Sequence, residues 1–195
     1  TSATDSYNTA VGHVAGLNIT TGVQNTLIGG TAGDALTDAD FNVAVGYNAL
    51  SSDTLGSRSV AIGYETLKAQ NFTSATNSNN TAVGFHAGND VTTGTNNTLI
   101  GANAADKTTT GTNNTAVGYN ALTANTTGAQ NVSLGAYSMT ANTQSNRNTA
   151  LGYNTLSSHN LTSDSNGYNT CVGFQAGSDI TTGTQNTFIG GLVGD

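Results

Sequence analysis

A five-residue pattern of the form Asn-Thr-Ala-Val-Gly returns along the whole chain, and it limits the possible folds more than any other feature. It begins at positions 8, 25, 42, 59, 80, 97, 114, 131, 148, 169 and 186, so eight of the ten intervals are 17 residues and two are 21. Self-similarity at that period marks a solenoid, whose units are too small to bury their own apolar face and so stack on their neighbours. Each unit reads as strand, bend, strand and polar loop. The predicted architecture is all-β: a parallel β-solenoid (β-roll) of eleven 17- or 21-residue coils, a single repeat array over residues 1–195. Stacked parallel strands advance about 4.8 Å per coil, which predicts a rod about 50 Å long.

With the Asn counted as position 1, position 4 is always a large aliphatic residue: Val11, Ile28, Val45, Ile62, Val83, Ile100, Val117, Leu134, Leu151, Val172 and Ile189. Strand side chains alternate, so positions 2 and 4 share a face, and this column is predicted to be the core ladder. Position 3 lies on the opposite face and is small and apolar where a solvent face would be polar. Ala10, Leu27, Ala82, Leu99, Ala116 and Phe188 are therefore predicted to form a seam between copies of the chain. Large residues at position 3 (Leu27, Leu99, Phe188) coincide with Gly30, Ala102 and Gly191 at position 6. Ala or Cys at position 3 usually coincides with an aromatic there, such as Tyr47 or Phe85, as if two positions filled one space, so position 6 is read as part of the same seam. The alternative is a coil whose own loop covers that face. Gly at position 5 reads as a bend. The glycines of the Thr-Gly pairs at Gly22, Gly56, Gly94, Gly111, Gly128 and Gly183 read as corners needing positive φ, and the Asn column as a structural amide ladder.

Composition narrows the function. Only 8% of residues are charged, the net charge is −7, and the four Lys and Arg are scattered, which disfavours a nucleic-acid partner. No apolar run approaches the length that spans a bilayer. His13, His86 and His159 share no face, so no metal site is expected. Asp34, Asp106, Asp90 and Asp179 read as turn residues. Cys171 replaces an Ala of position 3 and reads as a buried structural thiol. No Ser/His/Asp or paired-carboxylate constellation recurs, so neither catalysis nor a cofactor is expected.

The two 21-residue coils insert extra residues, and insertions in solenoids often carry the binding face. Asn71, Phe72, Thr73, Asn160, Leu161 and Thr162 are the candidate contacts for a receptor or cell-surface glycan, unless Phe72 and Leu161 tuck back against the rod. A competing function is an ice- or carbohydrate-binding module on the Thr-rich corner formed by pairs such as Thr20-Thr21, Thr92-Thr93 and Thr109-Thr110.

The unit Ser59-Val60-Ala61-Ile62-Gly63 resembles the head repeat of trimeric autotransporter adhesins. The stretch Asn114 to Leu122 is similar to units of phage tail fibres and of surface proteins ending in an endosialidase-type chaperone. The resemblance covers nearly the whole chain, although the adhesin repeat is shorter and lacks the Thr-Thr-Gly loop. It implies a left-handed β-roll, three chains around one axis, and an extracellular, cell-surface or virion location. The implied role is an adhesin stalk or head or a tail-fibre shaft, of which this sequence is expected to be a window.

Overall fold

The computed structural model describes residues 5–194. Eleven short strands form one sheet: β1 (Thr9–Val11), β2 (Thr26–Ile28), β3 (Val43–Val45), β5 (Val60–Ile62), β7 (Thr81–Val83), β8 (Thr98–Ile100), β9 (Thr115–Val117), β10 (Val132–Leu134), β11 (Thr149–Leu151), β12 (Thr170–Val172) and β13 (Thr187–Ile189). Two further strands, β4 (Gly56–Ser57) and β6 (Thr76–Asn77), pair beside the first long coil. Every neighbouring pair is parallel and without shift, so that Ala82, Leu99 and Ala116 stand in one line. The described residues hold no helix, and the fold is a parallel β-solenoid of eleven coils.

The glycines of position 5 are fixed by two constraints. Their φ lies between 131° and 141°, a region nearly closed to other residues. A Cβ on any of them from Gly12 to Gly173 would also stand 2.2–2.7 Å from the backbone of the glycine in the next coil. The Thr-Gly corner is different. Gly22, Gly56, Gly94, Gly111, Gly128 and Gly183 do not have positive φ, contrary to expectation. Space explains Gly22, Gly94 and Gly111, where a Cβ would come within 2.4–2.5 Å of a carbonyl oxygen in the next coil. The left-handed corners fall instead at positions 7, 9 and 17, where residues such as Asn48, Leu50 and Arg58 adopt φ of 49–64°.

The strand faces are the reverse of the sequence expectation. Leu27, Ala61, Leu99, Ser133 and Ala150 at position 3 are 0% exposed, whereas Ile28, Ile62, Ile100, Leu134 and Leu151 beside them are 37–41% exposed. Position 4 from Val11 to Ile189 is therefore an outward column and not the core ladder. Val45, Val83, Val117 and Val172 are half-buried on the same face. Leu27, Ala82, Leu99 and Ala116 belong to the chain's own interior and form no seam. Ala10 and Phe188, in the first and last described coils, are less covered.

The physical reason is volume. The coil is narrow, and position 3 faces positions 8, 9 and 12 of its own loop, which also line the interior. Ala44, Ala61, Ala116, Ser133 and Ala150 accompany Leu50, Leu67, Leu122, Met139 and Leu156 at position 9. Leu27 and Leu99 instead accompany Gly33 and Ala105. A Cβ on Gly33 would lie 2.7 Å from the Leu27 side chain, and one on Gly88 would lie 2.6 Å from Leu99 of the next coil. The reciprocity that close packing demands thus links positions 3 and 9, and its coincidence with position 6 is not a packing contact.

Position 1 shares the inward face. The Oδ1 of one Asn accepts the backbone N–H of the next coil's position 1 at 2.8–3.1 Å, from Asn8 through Asn169, with a break only after Ser59. In most coils its Nδ2 donates to the position-15 carbonyl of the same coil, as Asn97 does to Gly111 at 2.9 Å. The Asn column therefore closes each coil and ties it to the next, satisfying polar groups that have no access to water.

Candidate functional site

Two surfaces stand out, and both follow from the coil geometry. The first is the outward face of the eleven-stranded sheet. Its aliphatic column at position 4 is bordered by aromatics at position 6. Tyr47, Tyr64 and Phe85 stack with centroids 5.4–5.6 Å apart. Tyr119, Tyr137, Tyr153 and Phe174 form a second run at 5.3–5.8 Å, in which Tyr137 of position 7 stands in for Ala136. Ala102 separates the two runs. Desolvation first, then the neighbouring Tyr119 and Tyr153, push the Tyr137 phenol above its ordinary range. All seven rings remain exposed. Beside the first run, His86 stacks on Phe85 at 4.1 Å and its Nε2 lies 3.2 Å from Glu65 Oε2. Lys68 donates to Glu65 Oε1 at 2.9 Å, which with Asn48 holds that carboxyl below its usual range.

The second surface is the pair of long coils. In the first, the chain is anchored by Asp53, which is fully buried. Its carboxylate accepts from Gly56 N at 3.0 Å, Phe72 N at 3.1 Å and Gln70 Nε2 at 2.6 Å. Gln70 also donates to Ser59 Oγ at 2.9 Å and accepts from Asn80 Nδ2 at 2.8 Å, bridging the break in the Asn column. Phe72 is only 6% exposed and Leu161 is half-buried, so neither is offered to a partner as an open apolar side chain. Asn71, Thr73 and Thr162 are exposed and Asn160 is half-buried. Asp53→Ala is expected to strand three donors at a cost of roughly 3 kcal/mol and to free residues 72–76. Limited proteolysis should then cut within Thr73–Ala75 while the β circular dichroism persists; an uncut loop would remove Asp53 as its anchor.

The remaining candidates are dispersed. Among the described residues no group of three His, Cys, Asp or Glu could hold a metal, and no cavity opens. Lys107 lies 3.1 Å from Asp90 and 3.0 Å from Asp106 in a surface cluster. Burial pushes the Cys171 thiol up to about 11, which makes it a poor nucleophile. On the Thr corner the hydroxyls of Thr20, Thr37, Thr92, Thr109 and Thr126 donate to carbonyls of the next coil at 3.0–3.2 Å. Those donors are already committed within the rod. Sequence reasoning expected an outward apolar face and placed the position-6 aromatics on it, but paired them with position 3, whereas position 4 lies beside them. In comparisons with protein-family models, curated proteins and solved structures, the chain matches none.

Proposed function

We propose that this chain is a structural, non-catalytic repeat segment of an extracellular or virion fibre, assembled as a homotrimer through the outward faces of its sheets. The observation that carries the reading is the apolar column of position 4, exposed or half-buried along all eleven strands and flanked by exposed aromatics. An apolar stripe of that extent is unusual on a monomer in water. Full burial of one Val, Leu or Ile side chain is worth about 1.5–3 kcal/mol. A partner with the same period matches the stripe coil for coil, and the simplest such partner is another copy of the chain. Three copies around one axis turn one face each inward, as the resemblance to adhesin heads implies. The exposed loop residues near Thr73 and Thr162 then serve as the points of receptor or glycan contact.

Light scattering tests the reading. The parent is expected at three times its chain mass, and the triple variant Val83→Lys, Val117→Lys, Leu151→Lys at one, with the same β circular dichroism. A well-folded monomeric or dimeric parent would overturn it.

A further inference from the structure

The two long coils correspond residue for residue, which makes each a control for the other. Gln70 of the first has His159 as its counterpart, and both are 0% exposed. Gln70 has a partner for its amide oxygen and two for its nitrogen. His159 is less well provided. Its Nε2 lies 3.1 Å from Ser145 Oγ and 3.5 Å from Asn169 Nδ2. Its buried Nδ1 makes no well-formed hydrogen bond, the ring having only a weak backbone interaction with Thr181 besides.

The proton positions follow from the neighbours. Ser145 Oγ accepts from Asn148 Nδ2 at 2.8 Å, and its own O–H is free to point at the ring. Asn169 Nδ2 already gives its two protons to Gly183 O at 2.9 Å and Asn148 Oδ1 at 3.2 Å, and an amide nitrogen accepts none. Ser145 can thus donate to a bare Nε2, while Asn169 Nδ2 offers the ring neither a proton nor a lone pair. The site suits a neutral ring whose Nε2 carries no proton, because a proton there would find only the second lone pair of Ser145 Oγ.

Nothing charged compensates. The ring is surrounded by Ser145 and Asn148, by Asn169 of the following coil and by the Thr181 backbone, with Asn142 and Ile180 at position 12 of the adjacent coils. Asp164 is exposed and holds Asn146, Arg147 is exposed and bound to Gln130 and Tyr168, and Asp179 is exposed.

We propose that His159 is an acid-operated latch: protonation of its ring releases the second long loop, residues 160–168, while the first loop, held by Gln70, is indifferent. Burial sets the direction, holding the imidazole's pKa below its ordinary value against a smaller opposing pull from the Thr181 backbone. A depressed folded value means that the open coil takes up the proton first. The stability is complete above the ordinary imidazole range, about pH 6.5, and is lost as the pH falls below it.

Hydrogen exchange on the intact chain, corrected for intrinsic rates, tests this at two amides in each loop. Asn160 N bonds to Thr181 O and Gly167 N to Asn146 O in the second loop; Asn71 N bonds to Thr92 O and Ser78 N to Ser57 O in the first. From about pH 7.5 to about pH 5, protection at Asn160 and Gly167 is expected to fall about tenfold or more, with Asn71 and Ser78 unchanged. His159→Gln, which installs the Gln70 arrangement, should abolish the fall. An equal fall in both loops, no fall, or a fall that survives His159→Gln would overturn the latch. Should that variant not fold, ring titration of the parent decides. A His159 resonance that follows exposed His13, with Asn160 still protected, would overturn the proposal.

Discussion

Ala116→Asp is expected to unfold the coils around β9, whereas Val117→Asp, one residue along, should leave them folded. Ala116 is 0% exposed within the chain's own interior, facing Leu122 of the same loop. A carboxylate there gains no cation and no room, so the cost is expected to exceed about 3 kcal/mol. Val117 is half-buried on the outward face, and its replacement should cost the isolated chain under about 1 kcal/mol while weakening any assembly through that face. Chemical denaturation followed by circular dichroism gives the order of the two. The reverse order would put position 4 back inside and undo the assignment of faces.

Gly135→Ala is expected to cost about 3 kcal/mol or more, although it adds a single methyl group. The new Cβ would stand 2.2 Å from the carbonyl oxygen of Gly152, on a backbone held at φ 138°, and such a conformation alone costs about 1–3 kcal/mol outside glycine. Gly30→Ala is the control. Its Cβ would meet only the Tyr47 ring, at 3.3 Å, and Ala already occupies the same position at Ala102 and Ala136. Its effect should stay within about 1 kcal/mol. Because each coil contacts only its neighbours, the damage at Gly135 should be local. Hydrogen exchange is expected to show lost protection on both sides of it, with the β2–β3 region unaffected. Uniform loss along the rod would mean that the array unfolds as one unit.

The sequence made the period, the strand at positions 2–4 and the parallel register legible, because Gly12 to Gly190 recur at fixed spacing and Val11 to Ile189 keep step with them. The second strand expected after each Gly is instead a run of turns, its backbone bent by the left-handed residues at positions 7 and 9. It left the sign of the faces open. Alternation says that positions 1, 3 and 5 lie together, but not whether they point in. Large aliphatics at position 4 suggested an interior, and in an ordinary two-layer fold that inference holds. Here the interior is filled from the loop, by Leu50, Leu67, Leu122, Met139 and Leu156, leaving room beside them only for Ala or Ser at position 3. Two signals would have resolved the matter. The Asn column, whose amides need partners out of water, shares a face with position 3, and a large residue at position 3 goes with Gly or Ala at position 9. The left-handed corners at Asn48, Leu50 and Arg58 carry no glycine and were not legible. Neither was the His159 environment, which depends on which way two neighbouring side chains donate.

The unshifted pairing of all eleven strands gives the molecule a graduated length. Thr81, Thr98 and Thr115 present the same hydrogen-bonding edge to the coil that follows. Duplication or loss of one whole coil therefore rejoins equivalent edges and changes the rod by a single step of about 4.8 Å. Gain or loss of one residue within a strand would turn every later side chain of that strand to the opposite face. A gene of this kind can lengthen or shorten its product by recombination between repeats, provided that neighbouring coils keep the exchange of volume seen between Leu67, Gly88 and Leu99.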